Sequence, residues 1–149
     1  MEIKIILENK KQYIDLLLLA DEQESMIDVY LERGTMFALY DENSIKCVCV
    51  ITKEEQNIYE IKNLAVCPQH KRQGYGKYML NYIFDYYKDV CDVMIVGTGD
   101  STLTIPFYKS CGFVPSHIVK NFFIEHYNHA IFECGKQLVD MIYLKKYLK

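Results

Sequence analysis

Apolar and polar positions repeat with two different periods along the chain, and the change of period predicts its secondary structure. Runs rich in β-branched and aromatic residues are typical of strands, whereas apolar residues spaced three and four apart predict amphipathic helices. Predicted strands cover residues 2–7, 35–40, 44–52, 57–66, 91–96 and 139–144, with another beginning at Phe113, and predicted helices cover 11–20, 24–31, 74–88 and 102–110. The aromatic-rich segment 121–133 fits either a helix or a loop.

The order of these elements predicts the topology of a sheet. The strands 35–40, 44–52 and 57–66 are separated by short polar turns, which favours an antiparallel meander. The last of them, the helix 74–88 and the apolar strand 91–96 predict a right-handed crossover between parallel strands. We therefore expect an α/β fold with a mixed, largely antiparallel sheet of about six or seven strands and helices on both faces.

Composition is ordinary for a folded protein. The 149 residues are 50% hydrophobic and 25% charged, which excludes a disordered chain and predicts a single domain over residues 1–149. The longest apolar run, 14–20, contains Asp15 and is too short to span a bilayer, and the first residues lack the pattern of a secretion signal. We expect a cytoplasmic protein without membrane association.

Charge and cysteine content narrow the partners. The formal net charge of −3 argues against nucleic acid, because nucleic-acid binders carry an excess of basic residues on one face. The local basic group in 71–77 suits a phosphate group rather than a polymer. The six cysteines include no CxxC pair, and His126, His129 and Cys134 match no zinc spacing. We expect reduced structural thiols and no metal site.

The segment 64–80 carries the first candidate chemistry. An apolar strand enters a short basic loop (residues 67–73), Gly74 and Gly76 follow, and an amphipathic helix begins at them. Glycines at a helix N-terminus leave backbone N–H groups uncovered, and the helix dipole favours an anion such as a pyrophosphate. The third glycine of a dinucleotide fingerprint and the GxxxxGK[ST] motif are both missing. A tight strand-to-helix turn without ligand is the structural alternative.

A second segment, 107–113, places Tyr108 near the end of a short helix that Gly112 closes. This helix follows the strand 91–96, which we expect to lie parallel to 57–66. Tyr108 should then lie near the basic loop, at the carboxyl ends of parallel strands where ligands of α/β folds usually bind. Packing of its ring in the core is the alternative.

The two segments together resemble the GNAT superfamily of acyl-CoA N-acyltransferases. The first is similar to V-x-P-x-x-[QR]-x-x-G-x-[GA], with Lys71 at the Gln/Arg position, and the second to FYxxxGF; the resemblance covers roughly 58–113. The segments 121–123 and 140–144 resemble a bacterial-type subgroup of the superfamily. The resemblance implies the GNAT fold, acetyl-CoA as co-substrate and no metal.

The resemblance also implies a role for each matching residue. Backbone groups of Leu64, Ala65 and Val66 would pair with the pantetheine arm like an added strand. The pyrophosphate would be bound by the loop and the helix start, that is by Lys71, Arg72, Gln73, Gly74, Tyr75, Gly76 and Lys77. Tyr108 would stand beside the sulfur as general acid while an amine attacks the thioester directly. Ser101 occupies a position where many relatives carry a cofactor-binding asparagine.

Proton transfer is consistent with these roles. A phenol titrates near pH ~10 and a thiol near ~8.5, so at neutral pH Tyr108 holds a proton that a departing thiolate can accept. The attacking amine must lose a proton, and Glu60 in the preceding strand is the candidate base; a solvated strand residue is the alternative for Glu60.

Pro106 lies either at the first turn of the Tyr108 helix or inside it, where it would kink the helix.

The leading hypothesis is an acetyl-CoA-dependent N-acetyltransferase that acts on a primary amine of a small molecule or a peptide. A GNAT-fold module that binds CoA as a sensor or regulator without turnover is the alternative. A third reading, an interaction domain without a ligand, requires the basic loop to be occluded. The resemblance is compatible with a homodimer.

Overall fold

The computed structural model describes residues 1–149 and is built around a seven-stranded sheet with the strand order β1-β2-β3-β4-β5-β9-β6. The strands are β1 (Glu2–Ile6), β2 (Thr35–Asp41), β3 (Ser44–Glu55), β4 (Ile58–Val66), β5 (Val93–Thr98), β6 (Val114–Val119) and β9 (Met141–Tyr147), while β7 (Phe132–Glu133) and β8 (Lys136–Gln137) form a separate hairpin. Only the β4–β5 pair is parallel. The predicted fold class is confirmed.

Helices cover both faces of this sheet. They are α1 (Ile14–Ala20), α2 (Glu24–Tyr30), α3 (Tyr75–Tyr87), α4 (Thr104–Ser110) and α5 (Phe122–His126), with 3-10 turns at Lys10–Tyr13 and Pro68–His70. One face, here called the α3 face, carries the larger core, in which α3 and α4 pack on β2 to β5. The opposite α1 face carries a second core, in which α1 and α2 pack on β2, β3 and β4. No helix is long and apolar enough to cross a bilayer.

The predicted meander and crossover are both present, and the crossover leaves a gap in the sheet. β2, β3 and β4 are antiparallel neighbours, and β4 runs parallel to β5 from the pair Ile58–Val93 to the pair Ile61–Val96. Beyond Ile61, β4 continues to Val66 against β3, whereas β5 continues against β9. The two strands therefore part after Ile61 and form a fork that opens toward their carboxyl ends.

A β-bulge in β4 reverses which residues face each helix layer. The pairing with β3 runs from Ile51–Ile61 to Val50–Asn63 and skips Lys62. Ile61 belongs to the core on the α3 face, yet Ala65 belongs to the core on the α1 face, although regular alternation would put both on one face. The extra residue at the bulge thus turns Asn63 and Ala65 toward α1.

The ends of several elements differ slightly from the predicted spans. β1 is an edge strand that ends at Ile6, and Ile5 and Leu7 are exposed. On α3 the residues Tyr82 and Tyr86 are exposed, whereas Tyr75, Met79, Leu80, Ile83 and Tyr87 are buried. The ambiguous segment 121–133 contains α5 and β7.

Candidate active site

The fork exposes the edge of β4 that the sequence predicts to hold the pantetheine arm. Leu64, Ala65 and Val66 pair with β3 on one side and have no neighbouring strand on the β5 side. Their backbone N–H and C=O groups on that side are available to an extended amide-containing chain, which would add to the sheet as one more strand. The side chains of Leu64 and Val66 pack on the α3 face.

The basic loop leaves the end of β4 and leads into the N-terminus of α3. Arg72 and Gly74 both adopt left-handed backbone conformations, with φ of 63° and 86°. The first hydrogen bond of the helix runs from the N–H of Tyr78 to the carbonyl of Gly74 at 2.9 Å, so the N–H groups at the helix start have no partner in an earlier turn. They belong to Tyr75, Gly76 and Lys77.

This part of the surface is open. The side chains of Lys71, Arg72, Gln73 and Lys77 are exposed. A Cβ atom built on Gly74 would meet no atom within 4 Å. The basic loop is therefore not occluded, as an interaction domain without a ligand would require.

Gly76 brings the two predicted motifs together. A Cβ atom on Gly76 would lie 3.2 Å from Cζ of Phe107 and 3.5 Å from Cγ2 of Val66, so the small residue lets α3 lie close to α4 and β4, and a bulky side chain would push Phe107 aside. Phe107 precedes Tyr108. The start of α3, the edge of β4 and the tyrosine helix thus meet at the fork, as the sequence predicts.

Tyr108 combines a packed ring with a free hydroxyl. Its ring is buried on the α3 face and makes edge contacts with the rings of Phe107 and Phe113, with centroids 5.2 and 5.6 Å away. Burial raises the pKa of Tyr108 well above its ordinary value, and the thiols of Cys49, Cys111 and Cys47 add to the rise. The hydroxyl is not engaged in a hydrogen bond within the chain and keeps its proton at every working pH.

Ser101 and Pro106 fix the start of α4. The buried Ser101 hydroxyl accepts hydrogen bonds from the N–H groups of Leu103 (3.1 Å) and Thr104 (3.3 Å) and donates to Oε1 of Glu133 at 2.8 Å. Pro106 is the third residue of α4 and therefore lies in its first turn. The N–H of the preceding Ile105 donates to the carbonyl of Ser101 at 3.3 Å, and the proline ring costs the helix one donor at the next position.

Glu60 is buried at the base of the fork, so the alternative of a solvated strand residue is wrong. Its side chain points away from the α3 face because the adjacent Ile61 packs there. Oε2 of Glu60 lies 3.1 Å from the ammonium of Lys62 and accepts a long hydrogen bond of 3.4 Å from the hydroxyl of Tyr143. Burial raises the pKa of Glu60, although Lys62 opposes the rise.

Tyr143 and Lys62 are site residues that sequence reasoning missed. Tyr143 lies on β9, and its ring crosses β5 over Gly97, where an added Cβ would come within 3.0 Å of Cζ of Tyr143. The ring of His117 on β6 stacks on Tyr143 with centroids 4.6 Å apart. No local motif marks Tyr143, since its contact with Glu60 joins positions 83 residues apart, whereas Lys62 follows Glu60 closely on the same strand.

A second group on the α1 face closes the region beside Glu60. The carboxylate of Asp21, after α1, accepts hydrogen bonds from the hydroxyls of Tyr127 (2.7 Å) and Tyr30 (3.1 Å). The amide of Asn63 donates to the Tyr30 hydroxyl at 3.1 Å. Burial raises the pKa of Asp21, which the two tyrosine hydroxyls oppose. The segment after α5 is thereby tied to the helices that cover β4.

All six cysteines are unpaired, and only Cys134 is exposed. No group of three or more His, Cys, Asp or Glu side chains has an arrangement suited to a metal ion. The polar groups at the fork are the phenols of Tyr108 and Tyr143, the carboxylate of Glu60, the ammonium of Lys62 and backbone amides.

Comparison with known proteins identifies the family of the chain. The family model of the acetyltransferase (GNAT) domain matches residues 32–115. The uncharacterized N-acetyltransferase YvbK of Bacillus subtilis (strain 168) is 34% identical over 146 residues, which are 97% of this chain and 94% of that protein. The chain belongs to the GNAT acetyltransferase family.

Solved structures of GNAT proteins superpose over nearly the whole chain. A GNAT family acetyltransferase from Elizabethkingia anophelis with acetyl-CoA bound has a TM-score of 0.93 and 32% identity, covering 98% of this chain and 97% of that one. A Bacillus subtilis acetyltransferase in complex with CoA has a TM-score of 0.90 and 35% identity, covering 99% of both chains. This GNAT protein is an N-acetyltransferase with acetyl-CoA as co-substrate.

The residues present fit that co-substrate. Pantetheine carries amide groups that match the open edge of β4, and its pyrophosphate matches the uncovered N–H groups at the start of α3. The exposed cations of the basic loop lie at the same end.

Proposed function

We propose that this GNAT enzyme transfers an acetyl group from acetyl-CoA to a primary amine of a small molecule or a peptide by direct attack, with Tyr108 as general acid and Glu60 as general base. One observation carries the proposal: the two side chains lie on opposite faces of the sheet at the fork. Tyr108 belongs to the core on the α3 face, whereas Glu60 points to the α1 face. An acid on the side of the leaving group and a base on the side of the amine suit a one-step transfer.

On the α3 face the chain holds the acyl donor and supplies a proton. Leu64, Ala65 and Val66 offer backbone groups to the pantetheine arm, and the loop and helix start (Lys71, Arg72, Gln73, Gly74, Tyr75, Gly76 and Lys77) bind the phosphates. The bound thioester supplies the activated acetyl group. Tyr108 donates its proton to the sulfur as the C–S bond breaks, and Ser101 contributes by holding the start of α4 beneath Tyr108.

On the α1 face the chain prepares the amine. An alkylammonium cannot attack, so it must lose a proton first. The raised pKa of Glu60 makes this carboxylate a better proton acceptor than an exposed glutamate, while the ammonium of Lys62 opposes the rise and favours the ionised form. Tyr143, whose burial beside Glu60 raises its own pKa, remains a hydrogen-bond donor that orients the carboxylate.

Replacement of Tyr108 by phenylalanine tests the acid. With a panel of primary amines and chromatographic detection of CoA, Tyr108→Phe should lower kcat by about 10²–10⁴-fold, the usual contribution of a general acid. The dissociation constant of acetyl-CoA should stay unchanged, because the phenyl ring keeps the packing. Tyr82→Phe provides the control, because Tyr82 is exposed, and this variant should keep full activity.

Two outcomes would contradict the proposal. Full activity of Tyr108→Phe would show that the leaving thiolate needs no proton from this residue. Wild-type protein that binds acetyl-CoA and acetylates no amine would favour the non-catalytic CoA-binding module instead.

A further inference from the structure

A buried lysine beneath the basic loop has no role in the chemistry described so far. Lys46 on β3 is only 4% exposed. Its ammonium lies 3.1 Å from Nε2 of His70 and 6.0 Å from the centre of the Tyr75 ring. His70 ends the 3-10 turn of the loop, and Tyr75 begins α3. The charge therefore lies against the two segments that flank the pyrophosphate site.

A β-bulge puts Lys46 in this place. The pairing of β2 with β3 runs from Leu39–Cys47 to Tyr40–Ile45 and skips Lys46. The backbone of the same residue also holds the loop, because the N–H of Cys67 donates to the carbonyl of Lys46 at 2.8 Å. Main chain and side chain of Lys46 thus both fix the path from β4 into the loop.

The ammonium of Lys46 lacks a counter-charge in the protein. An ammonium only donates, so Nε2 of His70 is the acceptor in this contact. Lys46 forms no ion pair with a carboxylate, and the carboxylate of Asp41 accepts from the Tyr75 hydroxyl at 2.9 Å. A buried charge is costly unless an opposite charge compensates it.

The other buried lysine shows what a purely structural ammonium looks like. Lys10 is 7% exposed, and its ammonium donates to the carbonyl oxygens of Leu31 (2.9 Å) and Gly34 (2.8 Å), which follow α2. Lys10 thus ties down a chain segment through several acceptors. Lys46 has one acceptor, and that acceptor belongs to the loop.

We propose that Lys46 is a positioning residue for the phosphates of acetyl-CoA: through His70 it holds the basic loop, and its uncompensated charge is balanced when the pyrophosphate binds. The inference rests on the use of acetyl-CoA and is independent of the roles of Tyr108 and Glu60. It predicts opposite effects of one substitution. Removal of the charge leaves the free protein as stable as before or more stable, and weakens phosphate binding.

Calorimetric titration of Lys46→Met with two acyl donors tests this. The dissociation constant of acetyl-CoA should rise on the order of tenfold, the effect of one lost unit charge in a partly shielded site. Acetyl-pantetheine, which lacks the phosphates, should bind as it does to the wild type. The Tm of the unliganded variant should be equal to the wild-type value or higher, and kcat at saturating acetyl-CoA should be unchanged.

Matched variants separate this role from simple loss of structure. Lys10→Met should lower the Tm without changing the dissociation constant of acetyl-CoA. His70→Leu should weaken acetyl-CoA binding like Lys46→Met, and His70→Gln, which restores an acceptor, should recover most of it. If Lys46→Met does not fold, the two His70 variants provide the same comparison.

Unchanged acetyl-CoA affinity in Lys46→Met and His70→Leu would overturn the inference while leaving the proposed catalysis intact. Equal weakening of acetyl-CoA and acetyl-pantetheine would also overturn it, because the effect would then not involve the phosphates. Failure of the wild type to bind acetyl-CoA at all would overturn both this inference and the proposed function.

Discussion

The contact between Tyr127 and Asp21 allows a quantitative test of how the α1 face beside Glu60 is held together. Tyr127→Phe removes a 2.7 Å hydrogen bond to the half-buried Asp21 carboxylate, which keeps its second bond from Tyr30 at 3.1 Å. A hydrogen bond to a charged group contributes about 1.5–3 kcal/mol, so we expect the free energy of unfolding to fall by roughly 2 kcal/mol at pH 8. For a chain of this size the Tm then falls by about 4–8 °C.

The pH dependence of this loss identifies its cause. Burial raises the pKa of Asp21 and the Tyr127 hydroxyl opposes that rise, so its removal raises the pKa further. The variant is therefore weakened most where Asp21 is ionised. As pH falls through the raised pKa of Asp21, the carboxylate is protonated and the difference from wild type shrinks to that of a neutral hydrogen bond, about 0.5–1.5 kcal/mol.

Circular dichroism melts of both proteins at pH 8 and at about pH 4, near the ordinary pKa of an aspartate, measure the effect. The control is Tyr147→Phe, because Tyr147 is 59% exposed, and its Tm should match wild type at both pH values. A Tm loss for Tyr127→Phe of the same size at both pH values would refute the electrostatic reasoning and assign the loss to packing. In assays with an amine, the KM for the amine should rise while the KM for acetyl-CoA stays constant.

Four further outcomes follow from the structure. Activity should rise with pH through the raised pKa of Glu60 and become flat and about 10²-fold lower in Glu60→Gln. That raised pKa favours the protonated carboxyl, so the stability that Glu60 contributes is complete below about pH 4.3 and is lost as pH rises through the pKa of Glu60 in the folded protein. Glu60→Gln should therefore have a higher Tm than wild type at pH 8, and a lower Tm would contradict this. Gly76→Val should weaken acetyl-CoA binding and lower the Tm, since its Cβ would press on Phe107, and calorimetry with melts checks both. A thiol reagent at pH 8 should modify the exposed Cys134 first, because burial raises the pKa of Cys47 to about 12 and that of Cys111 above its ordinary value; mass spectrometry of the labelled peptides measures the order.

Local patterns were sufficient for much of the fold. Polar turns between β-rich runs predicted the meander, and the apolar period predicted the helix 74–88, observed as Tyr75–Tyr87. The glycines and cations of the basic loop lie within a few residues of one another, so their place at a helix start could be predicted without the tertiary structure. The same holds for Tyr108, whose helix has its own closing glycine.

The position of Pro106 could not be decided locally. The sequence allowed it at the first turn or inside the helix, and these alternatives differ by two or three residues in where α4 begins. In the structure Ser101, bonded to Glu133, sets that start, and Pro106 becomes the third residue of the helix. The Ser101–Glu133 contact that holds this start joins positions 32 residues apart, so no local pattern reveals it.

What the sequence by itself determined is the order of the elements, the open helix start and the two motifs that mark the family, since each depends on neighbouring residues. Only the tertiary structure decided which face each strand residue meets. Bulges at Lys46 and Lys62 shift the two-residue period by one, and a bulge arises from the register between two strands rather than from one strand. That shift places Lys46 under the loop and Asn63 toward α1, while contacts made along the whole chain bring Tyr143 to Glu60.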